Sequence, residues 1–237
     1  MAYTYKDVLN RQKDLKLREI ESVAVIGVGG VGSWVAGFLA LSGVTKIAII
    51  DNDVVEATNL NRTFFTLQDA QDARPKVQAV AEWIMARREC NITPVKINYE
   101  KLPLSFFDDY GLIVDCRDTS KPLPVELASK MLITGGYNGM QMSMHINPTD
   151  SIMGQSPTGY TITPSWIIPP VVIASLICTY ILSSRRRKKE WVKTVNLNTL
   201  IARFLDCPDL YEGIKQSPVF RASRSQARLT VDKEVGV

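Results

Sequence analysis

The segment Gly27-Val28-Gly29-Gly30-Val31-Gly32 carries glycines at the spacing Gly-x-Gly-x-x-Gly, directly after the apolar run Ser22–Ile26. A turn of this kind suits a polyphosphate. Gly27 permits the tight turn, Gly29 lets backbone amides approach a phosphate, and Gly32 lets helix and strand pack closely. Asp51 stands nineteen residues after Gly32, at the end of a second apolar run, where a carboxylate can accept both hydroxyls of a ribose. These two features serve NAD, FAD and ATP alike, and such a turn can also stand without a ligand. More polar clusters follow in order: Asp51-Asn52-Asp53, Asn59-Leu60-Asn61-Arg62, Arg74-Pro75-Lys76 and Asp115-Cys116-Arg117-Asp118.

The elements around these residues read as a doubly wound α/β fold. A strand over Ser22–Ile26, a helix carrying Val31, Val35, Leu39 and Leu41 that ends near Ser42-Gly43, and a strand over Lys46–Ile50 make a β-α-β unit. Residues 72–88 have the pattern of an amphipathic helix, and residues 93–97 and 112–114 those of strands. Residues 125–131 are expected to be helical and 132–134 extended. Met140, Met142, Met144 and Ile146 alternate with Gln141, Ser143 and His145, a period of two that predicts a half-buried strand. The expected architecture is a Rossmann-like, mostly parallel sheet with helices on both faces and antiparallel strands toward the C-terminal part. One domain is expected over residues 1–220. A basic tail follows over 221–237, with a long Pro-, Gly-, Ser- and Thr-rich loop at 147–165.

In its ordered combination of glycine turn, Asp-x-Asp, Asn-x-x-Arg, Pro-Lys and Asp-Cys-x-Asp, the chain resembles the ThiF/MoeB adenylating enzymes, the superfamily of the ubiquitin-activating enzymes, over roughly residues 8–146. The resemblance implies ATP-dependent adenylylation of a carboxylate with release of pyrophosphate. Negative charge accumulates on the phosphates in that reaction, and fixed cations with Mg²⁺ stabilise it. By resemblance the nucleotide is held by Gly27, Gly29, Gly30, Gly32, Asp51, Asp53, Asn59, Arg62 and Lys76. Arg62 and Lys76 contact the triphosphate, Asn59 holds a phosphate or ribose oxygen, Asp53 supports the ribose side, and Asp118 binds Mg²⁺ as a hard oxygen ligand. Asn10-Arg11-Gln12 is similar to the family's N-terminal Arg-Gln, whose arginine reaches across a dimer into the partner's ATP site.

The usual substrate in the superfamily is the C-terminal glycine of a ubiquitin-like or sulfur-carrier protein, and the 147–165 loop is long enough to clamp such a tail. Gly27 to Trp34 also looks like the tRNA threonylcarbamoyladenosine dehydratases, which likewise activate a carboxylate with ATP. For that reading the basic run Arg185 to Lys189 and Arg221, Arg224 and Arg228 would meet RNA phosphates. A third reading is a non-catalytic binding subunit of a heterodimeric activating enzyme; the presence of Arg62, Lys76 and Asp118 argues against it. No Cys-x-x-Cys occurs, so the zinc of many relatives is not expected. Residues 119–177 hold no cysteine, which favours adenylylation without a protein thioester. Cys116 is expected at a strand end, Cys178 as an inert thiol in an apolar helix, and Cys207 beside Asp206 as a thiol of raised pKa. His145, the only histidine, is expected to be packed rather than catalytic.

Composition fits these expectations. Hydrophobic residues are 46% and charged residues 22% of 237, with a formal net charge of +4, mild enough to suit a polyanionic ligand without demanding nucleic acid. Four widely spaced cysteines and a polar N-terminus point to a reducing cytoplasm. The uncharged stretch 166–182, followed by Arg185-Arg186-Arg187-Lys188-Lys189, is shorter than the roughly 20 apolar residues of a membrane span and carries Pro169-Pro170. It is expected to be a buried or dimer-interface helix, in a homodimer without membrane insertion.

Overall fold

The computed structural model describes residues 7, 9–118, 123–124, 126–127, 130–147, 165–183, 191–197 and 199–200. The chain divides into two compact units, Met1–Thr194 and Val195–Val237. Most of the loop expected at 147–165, the basic run 185–189, Cys207 and the tail beyond residue 220 lie outside the described residues.

The strands are β1 (Ser22–Ile26), β2 (Lys46–Ile50), β3 (Asn91–Val95), β4 (Leu112–Asp115), β5 (Met131–Asn138), β6 (Gln141–Ile146) and β7 (Trp191–Asn196), in the sheet order β3-β2-β1-β4-β5-β6-β7. β3, β2, β1, β4 and β5 are mutually parallel, and β6 returns antiparallel to β5. The expected doubly wound sheet with a late antiparallel hairpin is therefore present. Order reverses beside β1: one crossover leads to β2, the other to β4. The crevice at the C-terminal ends of these two strands is the place where such sheets bind ligands.

The α-helices α1 (Gly32–Leu41), α3 (Lys76–Met85) and α4 (Ile168–Leu182) pack on one face, α1 touching both of the others. α2 (Leu67–Gln71) is a short helix in the loop before α3. On the opposite face the helices are 3-10 turns at Tyr99–Lys101 and Leu104–Asp109. There Phe107, Tyr110 and Leu127 bury Ala24, Ile26, Ala48, Ile50 and Ile113. The alternation of β1 divides the two faces, since Ala24 and Ile26 belong to the second cluster.

Three local expectations are revised. The helix expected over 72–88 is shortened to Lys76–Met85, because Ala73 takes a positive φ of 46° and Pro75 sits at ψ 129° as the residue that opens α3. β3 starts two residues earlier than 93–97, in register Lys46↔Asn91 to Ile50↔Val95. Its Pro94 is tolerated because β3 is the sheet's edge. Within 125–131, Glu126 and Leu127 are 3-10 and Met131 already pairs with Leu112, so no α-helix runs to Met131.

The apolar stretch forms α4, a helix of 15 residues with proline in its first turn. Its residues Ile173, Ala174, Ile177, Cys178, Ile181 and Leu182 are buried against α1, β5 and β6, while Ile168 and Leu176 are partly exposed. Among the described residues no helix is long and apolar enough to cross a membrane. Gly135 on β5 permits this packing: a Cβ there would lie 2.2 Å from Cδ1 of Ile177.

Candidate nucleotide site

β1 ends in the glycine turn because its next residue, Gly27, has φ +80°. That conformation favours glycine, and a Cβ there would meet the Cys116 carbonyl carbon and oxygen and the Arg117 nitrogen at 3.0 Å. Gly32 is bound more tightly still, since a Cβ would stand 1.8 Å from the Gly27 carbonyl oxygen. Backbone bonds extend the strands into the turn, from Gly27 N to Ile50 O at 2.8 Å and from Cys116 N to Ile26 O at 2.8 Å. Gly29 has open space where its Cβ would be. At Gly29 the turn thus presents bare backbone near the N-terminus of α1, where unpaired amides and the helix dipole favour an anion.

The Asp51 carboxylate is built into this turn. One oxygen accepts the Val28 N–H and the other the Asp53 N–H, both at 2.8 Å. Asp53 in turn receives Lys76 Nζ at 2.8 Å, and the Lys76 amide donates to the Asp53 carbonyl at 3.1 Å. Lys76 is held at the start of α3 with its side chain only 11% exposed. A chain of bonds therefore fixes this cation to the glycine turn: Val28, Asp51, Asp53, Lys76.

Arg62 stands against Gly30. Its Cδ stands 3.3 Å from where a Cβ on Gly30 would be, and its guanidinium donates to the Thr58 carbonyl and, at 3.1 Å, to Asn61 Oδ1. An aromatic cluster fixes the Arg62 backbone. Trp34 Nε1 of α1 donates to the Arg62 carbonyl at 3.0 Å, Trp34 meets Phe64 edge-on at 5.1 Å, and Phe64 stacks on Trp83 of α3 at 4.2 Å. Asn61 also donates to the Ser165 carbonyl at 2.7 Å, which ties the Arg62 loop to the residue before Trp166. Asn59 is buried, with Oδ1 accepting the Glu56 N–H at 3.1 Å in a reciprocal cap, which leaves its amide nitrogen as the donor a ligand would use.

Two residues past the β4 strand end, Arg117 is committed to structure. It pairs with both oxygens of buried Asp115 at 2.8 Å and lies over the Tyr99 ring at 3.9 Å. Asp118 beyond it is exposed and, among the described residues, has neither hydrogen bond nor ion pair. An exposed carboxylate of this kind fits Mg²⁺, which is commonly bound by one or two carboxylates together with phosphates and water.

Arg11 is not brought to this site. It is exposed on a 3-10 turn, Asn10–Leu15, whose Gln12 donates to the Ser42 carbonyl at 2.8 Å, at the far end of α1. Ten residues of helix separate that end from the glycine turn, about 15 Å. Burial pushes the Cys116 thiol well above its usual range, with Asp115 and Cys178 adding to the effect, and it pushes Cys178 up to about 12. His145 is buried, which lowers its pKa. Trp34, Asn61, Phe64, Trp83 and Tyr137, whose hydroxyl also closes on Gly30, were not assigned to the site from the sequence. The aromatic pair Trp34 and Phe38, one helical turn apart, was the available signal for the cluster.

The ThiF family model matches residues 5–140. The chain is 38% identical over 111 residues to a tRNA threonylcarbamoyladenosine dehydratase of Bacillus subtilis, covering 46% of this chain and 43% of that protein. It is 33% identical over 112 residues to the adenylyltransferase and sulfurtransferase UBA4 of Yarrowia lipolytica, covering 46% and 27%. Among solved structures, Escherichia coli MccB with MccA-N7isoASN superposes with a TM-score of 0.58 at 16% identity, over 82% of this chain and 72% of that one, a likeness of fold. The chain spans less than half the length of these two curated relatives.

Proposed function

The chain belongs to the ThiF family, and from that premise we propose that it uses ATP to adenylylate a carboxylate. The observation that carries the reading is convergence: Arg62 lies against Gly30 and Lys76 is joined through Asp53 and Asp51 to Val28, at a glycine turn on the switch point of the sheet. An oxidoreductase using NAD has no need of these cations. In the proposed reaction the amides around Gly29 and Gly30 and the Arg62 guanidinium hold phosphate oxygens. Lys76, drawn from Asp53 toward the greater charge of the phosphates, stabilises the departing pyrophosphate. Asp118 would hold Mg²⁺, which neutralises phosphate charge when bound. Asp51 keeps the turn in shape, and its oxygens retain lone pairs for the ribose.

For the substrate, we infer the C-terminal glycine of a ubiquitin-like or sulfur-carrier protein. The similarity to the Bacillus subtilis protein favours a second reading, the threonylcarbamoyl carboxylate on tRNA. Labelled pyrophosphate exchange into ATP, with Mg²⁺ and either a Gly-Gly-ended carrier protein or modified tRNA, separates the two. Exchange dependent on the carrier is expected. Dependence on tRNA selects the second reading, and ATP binding without exchange on either would make the chain a binding subunit. Calorimetric binding of NAD in place of ATP sinks the proposal.

We further propose a C₂ homodimer in which each Arg11 serves its neighbour's site, because within one chain Arg11 stands by the wrong end of α1. The partly exposed, uncharged side of α4 with Ile168 and Leu176 suits burial in such an assembly. Mixing Arg11→Ala and Lys76→Ala subunits should restore part of the activity, since one site of a mixed dimer keeps both residues. With subunit exchange shown by tagging, no restoration rejects the trans role; an active monomer rejects the dimer as well.

A further inference from the structure

β5 is longer than the parallel strand it joins. Its residues 131–134 pair with β4, whose last residue Asp115 pairs in turn with Ile26. β5 then continues to Asn138, paired only with β6 at that end. Thr134 is therefore level with the last residue of β1, and Tyr137 lies three residues further, about 10 Å past the strand ends. Alternation sets its direction. Gly135 faces Ile177 of α4, so Tyr137, two residues on, emerges on the same face, the one that carries α1 and the glycine turn.

The side chain reaches that turn. The position a Cβ would take on Gly30 is 3.1 Å from the Tyr137 hydroxyl and 3.4 Å from its ring carbon Cε1, with Arg62 Cδ at 3.3 Å. Gly30 thus lies beneath two side chains, one phenol and one guanidinium stem, both within 3.4 Å of the position its Cβ would take. Tyr137 is only partly buried, and among the described residues its hydroxyl has no hydrogen-bond partner. A phenol is a good donor to an anionic oxygen, and the backbone below it is the part of the site suited to an anion.

We propose that Tyr137 is a phosphate-binding residue of this site: its hydroxyl donates a hydrogen bond to a phosphate oxygen of the nucleotide above Gly30, beside Arg62. This assignment rests on the proposal that the site takes ATP. The hairpin β5–β6 thereby supplies one wall of the nucleotide site from outside the glycine, Asn-x-x-Arg and Pro-Lys segments.

The experiment compares wild-type protein with Tyr137→Phe, which keeps the ring and removes only the hydroxyl. Each is titrated calorimetrically with Mg²⁺-ATP and with adenosine, and each is unfolded thermally. ATP affinity is expected to fall about tenfold, the scale of a hydrogen bond to a charged group, with adenosine affinity and unfolding midpoint unchanged. Equal ATP affinity in the two proteins overturns the proposal and leaves the nucleotide reading standing. A parallel loss of ATP and adenosine affinity also overturns it, because it marks a role in shape alone. Failure of the wild type itself to bind ATP overturns this assignment together with the reading on which it rests.

Discussion

Lys76→Ala is expected to lower pyrophosphate exchange at least about a hundredfold, as is Asp118→Ala, the scale of losing a charge that acts on the transition state. The two variants should fail for different reasons. Removing Lys76 takes away a cation and also leaves Asp53, 56% exposed, as an uncompensated carboxylate at the proposed phosphate site. Asp53→Ala in the Lys76→Ala background should therefore recover part of the loss, and Asp53→Ala alone should cost much less than Lys76→Ala. Asp118 has no partner among the described residues, so its loss should raise the Mg²⁺ concentration needed for whatever exchange remains. Normal exchange in both single variants, measured at saturating ATP, would remove these residues from the site.

Gly32→Ala carries the largest expected effect on stability. Its new methyl group would sit 1.8 Å from the Gly27 carbonyl oxygen and 3.0 Å from the Gly27 carbonyl carbon, and backbone cannot rotate aside as a side chain can. Either α1 moves off β1 or the turn opens, and a loss of about 3 kcal/mol is expected in denaturant unfolding, with nucleotide binding lost as well. Gly29→Ala is the matched control. Nothing lies within 4 Å of its added carbon, so stability should hold, while a phosphate approaching that backbone would be obstructed. A Gly32→Ala protein as stable as the wild type would show that the turn relaxes at little cost. Undiminished ATP binding by Gly29→Ala would place the phosphates elsewhere.

The part of the site encoded within short segments was legible in the sequence. The turn, the strand ahead of it and the helix behind it each follow from a local pattern, apolar run, glycines and helical period, and these hold in the structure. The failures fall where local pattern competes with contacts from far along the chain. Residues 125–131 look helical in isolation, but Met131 is claimed by the sheet through its pairing with Leu112. The 3-10 turns at Tyr99–Lys101 and Leu104–Asp109 have no sustained period, so their covering of the second face could not be read. Tyr137 stands 107 positions after Gly30, and Ser165 is 104 after Asn61. Neither contact leaves a trace in spacing, because each joins segments that only the folded chain brings together.

The wall against which Gly27 and Gly32 are packed, made by the Cys116 backbone and side chain, has a consequence for the order of synthesis. The first hundred residues contain the whole β1-α1-β2-α3-β3 unit together with Asp51, Arg62 and Lys76. They do not contain the surface that presses the turn from the other side. During translation this N-terminal part emerges with Asp51, Arg62 and Lys76 present, ahead of Asp118 and Tyr137, and with its turn open on one flank. Only when β4 pairs with β1 does the Cys116 backbone close that flank, and β5 must follow before Tyr137 can cover Gly30. A nucleotide would therefore recognise the late, fully assembled chain in preference to the nascent one.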